Sequence, residues 1–204
     1  MVDYRDARGW LSEAEREFLV EAGKEVHATA IKTPADAVIL EVGAEFGAST
    51  VCLRTGAGIH PTIMSLDIWP NDLLQVHRTE VAKAEYRQRW VAKMAIDQGA
   101  DPNRNNLQIV GDSKLWGPLW RQELDLLFID GDHRYEGAYS DAWHFTKHLK
   151  MGKLVIFHDC LGDHPIHRQT NAAVTDWAEE PAQGRWVELD PVDTMRVFKR
   201  EAKW

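Results

Sequence analysis

Two short segments of this chain gather side chains that could hold charge and move protons, Asp130-Gly131-Asp132-His133 and His158-Asp159. Each closes an apolar run, Leu127-Phe128-Ile129 in one case and Leu154-Val155-Ile156-Phe157 in the other. Carboxylates and an imidazole therefore stand at strand ends. An imidazole titrates near neutrality and can take a proton from a reacting oxygen. A third segment, Glu41-Val42-Gly43-Ala44-Glu45-Phe46-Gly47, follows the apolar run Val38-Ile39-Leu40 and opens a helical stretch at Ala48-Ser49-Thr50. Glycine is needed where a strand-to-helix turn is tight or lets a ligand reach the backbone, and the following helix start presents unpaired N–H groups. The glycines are spaced Glu41-x-Gly43-x-x-x-Gly47 rather than G-x-G-x-x-G. Glu41 would repel a pyrophosphate but suits a cationic or amine-bearing ligand. An ordinary turn with no ligand fits the same pattern.

Further acids close the other strands. Asp67 lies about twenty residues beyond the glycine turn, where a carboxylate can accept both ribose hydroxyls of a nucleoside, although aspartate also favours a helix N-cap. Asp112-Ser113 could accept from an adenine amino group or cap the next turn. Five acidic strand ends along one edge repel each other unless a cation or hydrogen-bond donors compensate, which implies a ligand. The segment from His158 to His167 holds three histidines, but its glycine and proline read as a loop, either a substrate-side lid or plain surface. His144 and His148 are four apart on a helix, away from the strand ends, and read as solvated.

These ends need a parallel sheet to bring them together. Strands are expected at residues 37 to 44, 62 to 68, 106 to 112, 124 to 130 and 152 to 158, with helices at 47 to 57, 79 to 98, 135 to 150 and 168 to 179. Residues 97 to 106 read as a loop. Ser12 and Glu15 form a capping box that opens a covering helix to about residue 29. Two strand-like runs at 185 to 189 and 195 to 199 are joined by so few residues that they must form a hairpin.

The chain has 204 residues, enough for one α/β domain spanning 1–204, with residues 1–30 as a covering helix and 36–204 as core. Hydrophobic residues are 44% and charged residues 27%, a globular balance. A formal charge of −8 disfavours nucleic acid as a partner. No apolar run is long enough to span a membrane and no basic-then-apolar leader opens the chain, so a cytoplasmic protein is expected. Two cysteines without close spacing suggest neither a disulfide framework nor a zinc knuckle. The nine tryptophans read as core packing more readily than as a stacking platform. Self-association is left open.

The glycine turn, the Asp130-Gly131-Asp132-His133-Arg134-Tyr135 segment and the His158-Asp159 pair together resemble class I S-adenosylmethionine-dependent methyltransferases. The resemblance is to the subgroup of cephalosporin-biosynthesis and macrolide sugar O-methyltransferases, over about residues 36 to 175. It implies a Rossmann-like seven-stranded α/β sheet, mostly parallel with an antiparallel C-terminal hairpin and helices on both faces. It also implies S-adenosylmethionine bound by Glu41, Gly43, Gly47, Ser49, Asp67, Ile68, Asp112, Ser113 and Asp130. Asp130 and Asp159 match ligands of a divalent cation, usually magnesium. His158 sits where relatives often place glutamate, and a nitrogen there could shift preference toward manganese, iron or zinc. His133 matches a general base. The activity so implied is metal-assisted O-methylation of a small hydroxylated molecule such as a sugar, polyketide or phenol. The alternatives are a metal-dependent hydrolase and a non-catalytic module that binds S-adenosylmethionine.

Overall fold

A computed structural model of the chain describes residues 3–7, 9–30, 37–68 and 105–202. The helix expected at 79 to 98 and most of the loop expected at 97 to 106 lie outside these residues. Seven strands form one sheet: β1 (Val38–Val42), β2 (Thr62–Asp67), β3 (Asn106–Val110), β4 (Leu124–Ile129), β5 (Leu149–Phe157), β6 (Arg185–Glu188) and β7 (Arg196–Ala202). Their order is β3-β2-β1-β4-β5-β7-β6, and β7 runs antiparallel to both of its neighbours. The strands from β1 to β5 are parallel. Every residue of β1 and β4 is buried, as expected for central strands covered on both faces.

Among the described residues the α-helices are α1 (Glu13–Ala30), α2 (Ala48–Ala57), α3 (Ser113–Trp116), α4 (Tyr135–Phe145) and α5 (Pro165–Glu179). The α1 capping box forms as its sequence requires, with Ser12 N donating to Glu15 Oε2 at 2.9 Å and Glu15 N to Ser12 Oγ at 3.1 Å. α1 lies against α2 at backbone contact, since a Cβ on Gly56 would stand 1.9 Å from the Val20 carbonyl oxygen. No described helix is long and apolar enough to cross a membrane.

Two helix boundaries move by three residues or more, and β5 and β7 each extend three residues beyond the expected runs. The helix expected over 135 to 150 stops at Phe145, one 3₁₀ turn follows at Thr146–His148, and β5 begins at Leu149. Buried Leu149 pairs with Leu124, and the Arg200 guanidinium donates to the Thr146, Lys147 and Leu149 carbonyls, which ends the helix from a distant strand. The last helix starts at Pro165 rather than 168, because proline suits the first helical position and the preceding His164 Nδ1 accepts from Ile166 N at 3.3 Å. That start turns part of the expected loop into helix.

Candidate active site

The C-terminal ends of the parallel strands border a cavity of about 600 Å³, within the range of small-ligand sites. Its glycine turn is built by close approach. Gly43 has φ +82°, and a Cβ there would lie 2.1 Å from the Asp130 carbonyl oxygen, so no other residue fits between β1 and β4. Asp67 Oδ2 accepts from Ala44 N at 2.8 Å and Glu45 N at 2.9 Å, which fixes the turn. Asp67 therefore caps the turn as well as lining the cavity, where Gly43, Ile68, Asp112, Ser113 and Asp130 also stand. Asp112 Oδ1 accepts from Lys114 N and caps α3.

Three residues expected at the ligand sit behind it. Glu41 is fully buried, and its carboxylate accepts from the hydroxyls of Ser49, Thr50 at 2.6 Å and Ser65 at 2.7 Å. Glu41 and Ser49, both expected at the cofactor, stand behind the turn and do not border the cavity. These hydroxyls offset the carboxylate's burial and bind β1 to α2 and β2, giving a rigid base to the turn. Gly47, at φ +85°, is the N-cap of α2 and does not border the cavity.

On the other side of the cavity, Asp130, His133, His158 and Asp159 bring one ligand atom each within 4.8 Å of one another. Register explains the meeting, because Ile129 on β4 is paired with Phe157 on β5, so the residues that follow leave neighbouring strands side by side. His158 Nδ1 lies 2.9 Å from Asp130 Oδ1 and 3.6 Å from Asp159 Oδ1. His133 Nε2 lies 3.2 Å from Asp130 Oδ1 and 3.3 Å from Asp159 Oδ2. Burial works against the Asp130 charge, but the two imidazoles outweigh it and hold its carboxyl below the usual range. Burial also opposes a charge on His158, yet Asp130, Glu15 and Asp159 push its pKa up to about 10. The hydrogen bond to Asp130 raises that of His133. Asp159 sits in the left-handed region at φ +52°, a strained conformation of the kind that concentrates at functional sites.

Four participants escaped the sequence reading. His167, placed there in a loop, is on the first turn of α5 with Nε2 3.2 Å from Asp159 Oδ1. Glu15 reaches His158 from α1, Lys114 Nζ reaches Asp132 at 3.0 Å, and Trp10, 83% exposed, stands at the cavity wall. Only the histidine cluster offered a signal for any of them. His144 Nδ1 and His148 Nε2 are buried without a hydrogen-bond partner, so these two are not plainly solvated.

Asp141 on α4 lies behind Gly131, 1% exposed, and its carboxyl oxygens have no close hydrogen-bond partner beyond the nearby Ser113. Burial, relieved only in part by Ser113 and Lys114, pushes its pKa up to about 7. The folded state thus holds this proton more tightly than the unfolded chain does. Stability from this group should fall as pH rises from about 4 to about 7 and then level off. Asp141→Asn should remove that dependence and stabilise the protein at pH 8 by about 2 to 4 kcal/mol, from the size of the shift. Urea titrations at pH 5 and pH 8 check this, and an equal or lower midpoint for the variant at pH 8 would refute it.

The sequence matches the family described as "Methyltransferase domain" over residues 40–160. The fold is similar to that of cofactor-bound Rv0187 from MTB, at 17% identity and TM-score 0.66, covering 96% of this chain and 84% of that one. An O-methyltransferase from Bacillus cereus in complex with SAH aligns at 15% identity and TM-score 0.63, over 96% and 86% of the two chains. TomG from Streptomyces achromogenes, an O-methyltransferase in complex with SAM, aligns at 17% identity and TM-score 0.59, over 95% and 92%.

Proposed function

Since this chain belongs to the methyltransferase domain family, we propose that it moves a methyl group from S-adenosylmethionine to a hydroxyl oxygen of a small molecule, with a divalent cation held by Asp130, His158 and Asp159. The observation that carries this reading is the convergence of two carboxylates and two imidazoles at one side of a cavity whose other side is a glycine turn. The names of the similar solved structures, O-methyltransferases with SAH or SAM among them, point the same way. S-adenosylmethionine supplies an electrophilic methyl on a sulfonium, and a divalent cation supplies the charge that lowers the cost of ionising a hydroxyl.

The chain's own residues supply the rest. Asp67 offers Oδ1 to ribose hydroxyls while Oδ2 holds the turn, and Asp112 with Ser113 borders the adenine side. Carboxylates around the cavity favour a ligand with a positive centre over a pyrophosphate. The donor set of Asp130, His158 and Asp159 fits a divalent ion that displaces the Nδ1 proton of His158, and its imidazole nitrogen suits manganese, iron or zinc better than magnesium, which prefers oxygen. His133 stands in the same cluster and takes the acceptor's proton at Nε2. Fixing acceptor and methyl donor in one cavity removes much of the entropic cost of their meeting.

Calorimetric titration with S-adenosylmethionine, with and without Mn²⁺, tests the reading. Asp67→Ala should weaken binding by about 1 to 3 kcal/mol, the loss of charge-assisted hydrogen bonds. Unchanged affinity would remove Asp67 from the site. Absence of binding to the wild type would overturn the assignment, and binding without turnover on any hydroxylated acceptor would favour a non-catalytic module.

A further inference from the structure

We propose that Glu15, carried by the N-terminal helix α1, is a positioning residue for the cation site, fixing the His158 ring so that its Nδ1 faces Asp130 and Asp159. The inference rests on the cation reading above. Glu15 is 2% exposed and His158 4% exposed, so both are enclosed by protein. Glu15 Oε2 lies 3.3 Å from His158 Nε2, on the side of the ring opposite the Nδ1 contact with Asp130. A ring held at both nitrogens cannot flip without breaking a buried ionic contact, which fixes its orientation.

Glu15 itself is held from two further sides. Its Oε2 accepts from Ser12 N at 2.9 Å, and its Oε1 accepts from Thr194 N at 3.0 Å and Thr194 Oγ1 at 2.7 Å. The Thr194 hydroxyl in turn accepts from Asp159 N at 3.3 Å, and the Thr194 carbonyl accepts from Cys160 N and Leu161 N. One carboxylate therefore reaches His158 directly and Asp159 through Thr194, touching two of the three proposed ligands without entering the cavity. A carboxylate behind a ligating histidine is a recurrent way to set ring orientation and basicity, and its loss costs metal affinity. A helix-capping role alone explains the Ser12 contact but not a carboxylate turned toward His158 and Thr194.

The experiment is titration of Mn²⁺ alone into the wild type and variants, with no cofactor or acceptor, alongside thermal melting. Glu15→Gln keeps the side-chain length and one accepting oxygen for Thr194, but sets an amide donor against His158 Nε2. Its Mn²⁺ affinity is expected to fall about 10- to 100-fold. Thr194→Val, which removes the bridging hydroxyl, is expected to weaken Mn²⁺ several-fold and serves if Glu15→Gln does not fold. Ser12→Ala removes the cap while leaving the Glu15 carboxylate, and is expected to lower the melting temperature with Mn²⁺ affinity unchanged. Wild-type affinity in the Glu15→Gln or Thr194→Val protein would overturn the positioning role alone. So would an equal loss in Ser12→Ala. A wild type that binds no Mn²⁺ would overturn the cation reading and this inference with it.

Discussion

A His133→Ala variant is expected to turn over about 10²- to 10⁴-fold more slowly than the wild type, the usual contribution of a positioned base. The expectation comes from where His133 stands: three residues after Asp130, half-buried, with Nε2 between Asp130 Oδ1 and Asp159 Oδ2. Those carboxylates raise its pKa above the ordinary histidine value of 6.5. A base works in its neutral form, so the wild-type rate should rise with pH through the histidine pKa and level off above it. The variant should lose this rise. Cofactor and Mn²⁺ affinities, measured by titration, should stay within a few-fold of wild type, because Asp67, Asp130, His158 and Asp159 remain. A variant that keeps both the rate and the alkaline rise would show that His133 only hydrogen-bonds at the start of α4.

Excess EDTA is expected to abolish methyl transfer while leaving S-adenosylhomocysteine binding largely in place. In the proposed reading the two functions draw on different strands, with Asp130 the one residue placed in both sets. Gly43, Asp67 and Asp112 border the cavity from β1, β2 and the end of β3, whereas Asp130, His158 and Asp159 close β4 and β5. A substrate hydroxyl is a weak acid at neutral pH, and a cation beside it is worth several kcal/mol of charge stabilisation. Mn²⁺ added back should restore more activity than Mg²⁺ because one of the three proposed ligands is a nitrogen. Transfer at the full rate in excess EDTA would exclude the metal-assisted reading and leave His133 as the sole device for deprotonation. A matching loss of S-adenosylhomocysteine binding would instead mean that the cation holds the cofactor site together.

The sequence by itself determined the layers of this protein and one wall of its site. Apolar runs of strand length separated by helical stretches set out β1 to β5, and the short link near Pro191 required β6 and β7 to pair. The glycines and the acids at the strand ends were legible because each depends on its own neighbours along the chain: a turn needs glycine at a positive φ, and a strand end exposes the next side chain. Tertiary structure alone decided what those acids touch. Glu41 accepts from three hydroxyls beneath the turn, Arg200 ends α4 from β7, and His167 turns toward Asp159 once Pro165 starts α5. Glu15 is the extreme case, since its place in a capping box was evident locally while its partner His158 is 143 residues away. Periodicity and capping report interactions within a few residues of chain. The partner of a buried charge is instead set by which elements the hydrophobic core forces together, and that is fixed only when the whole sheet and its covering helices have packed.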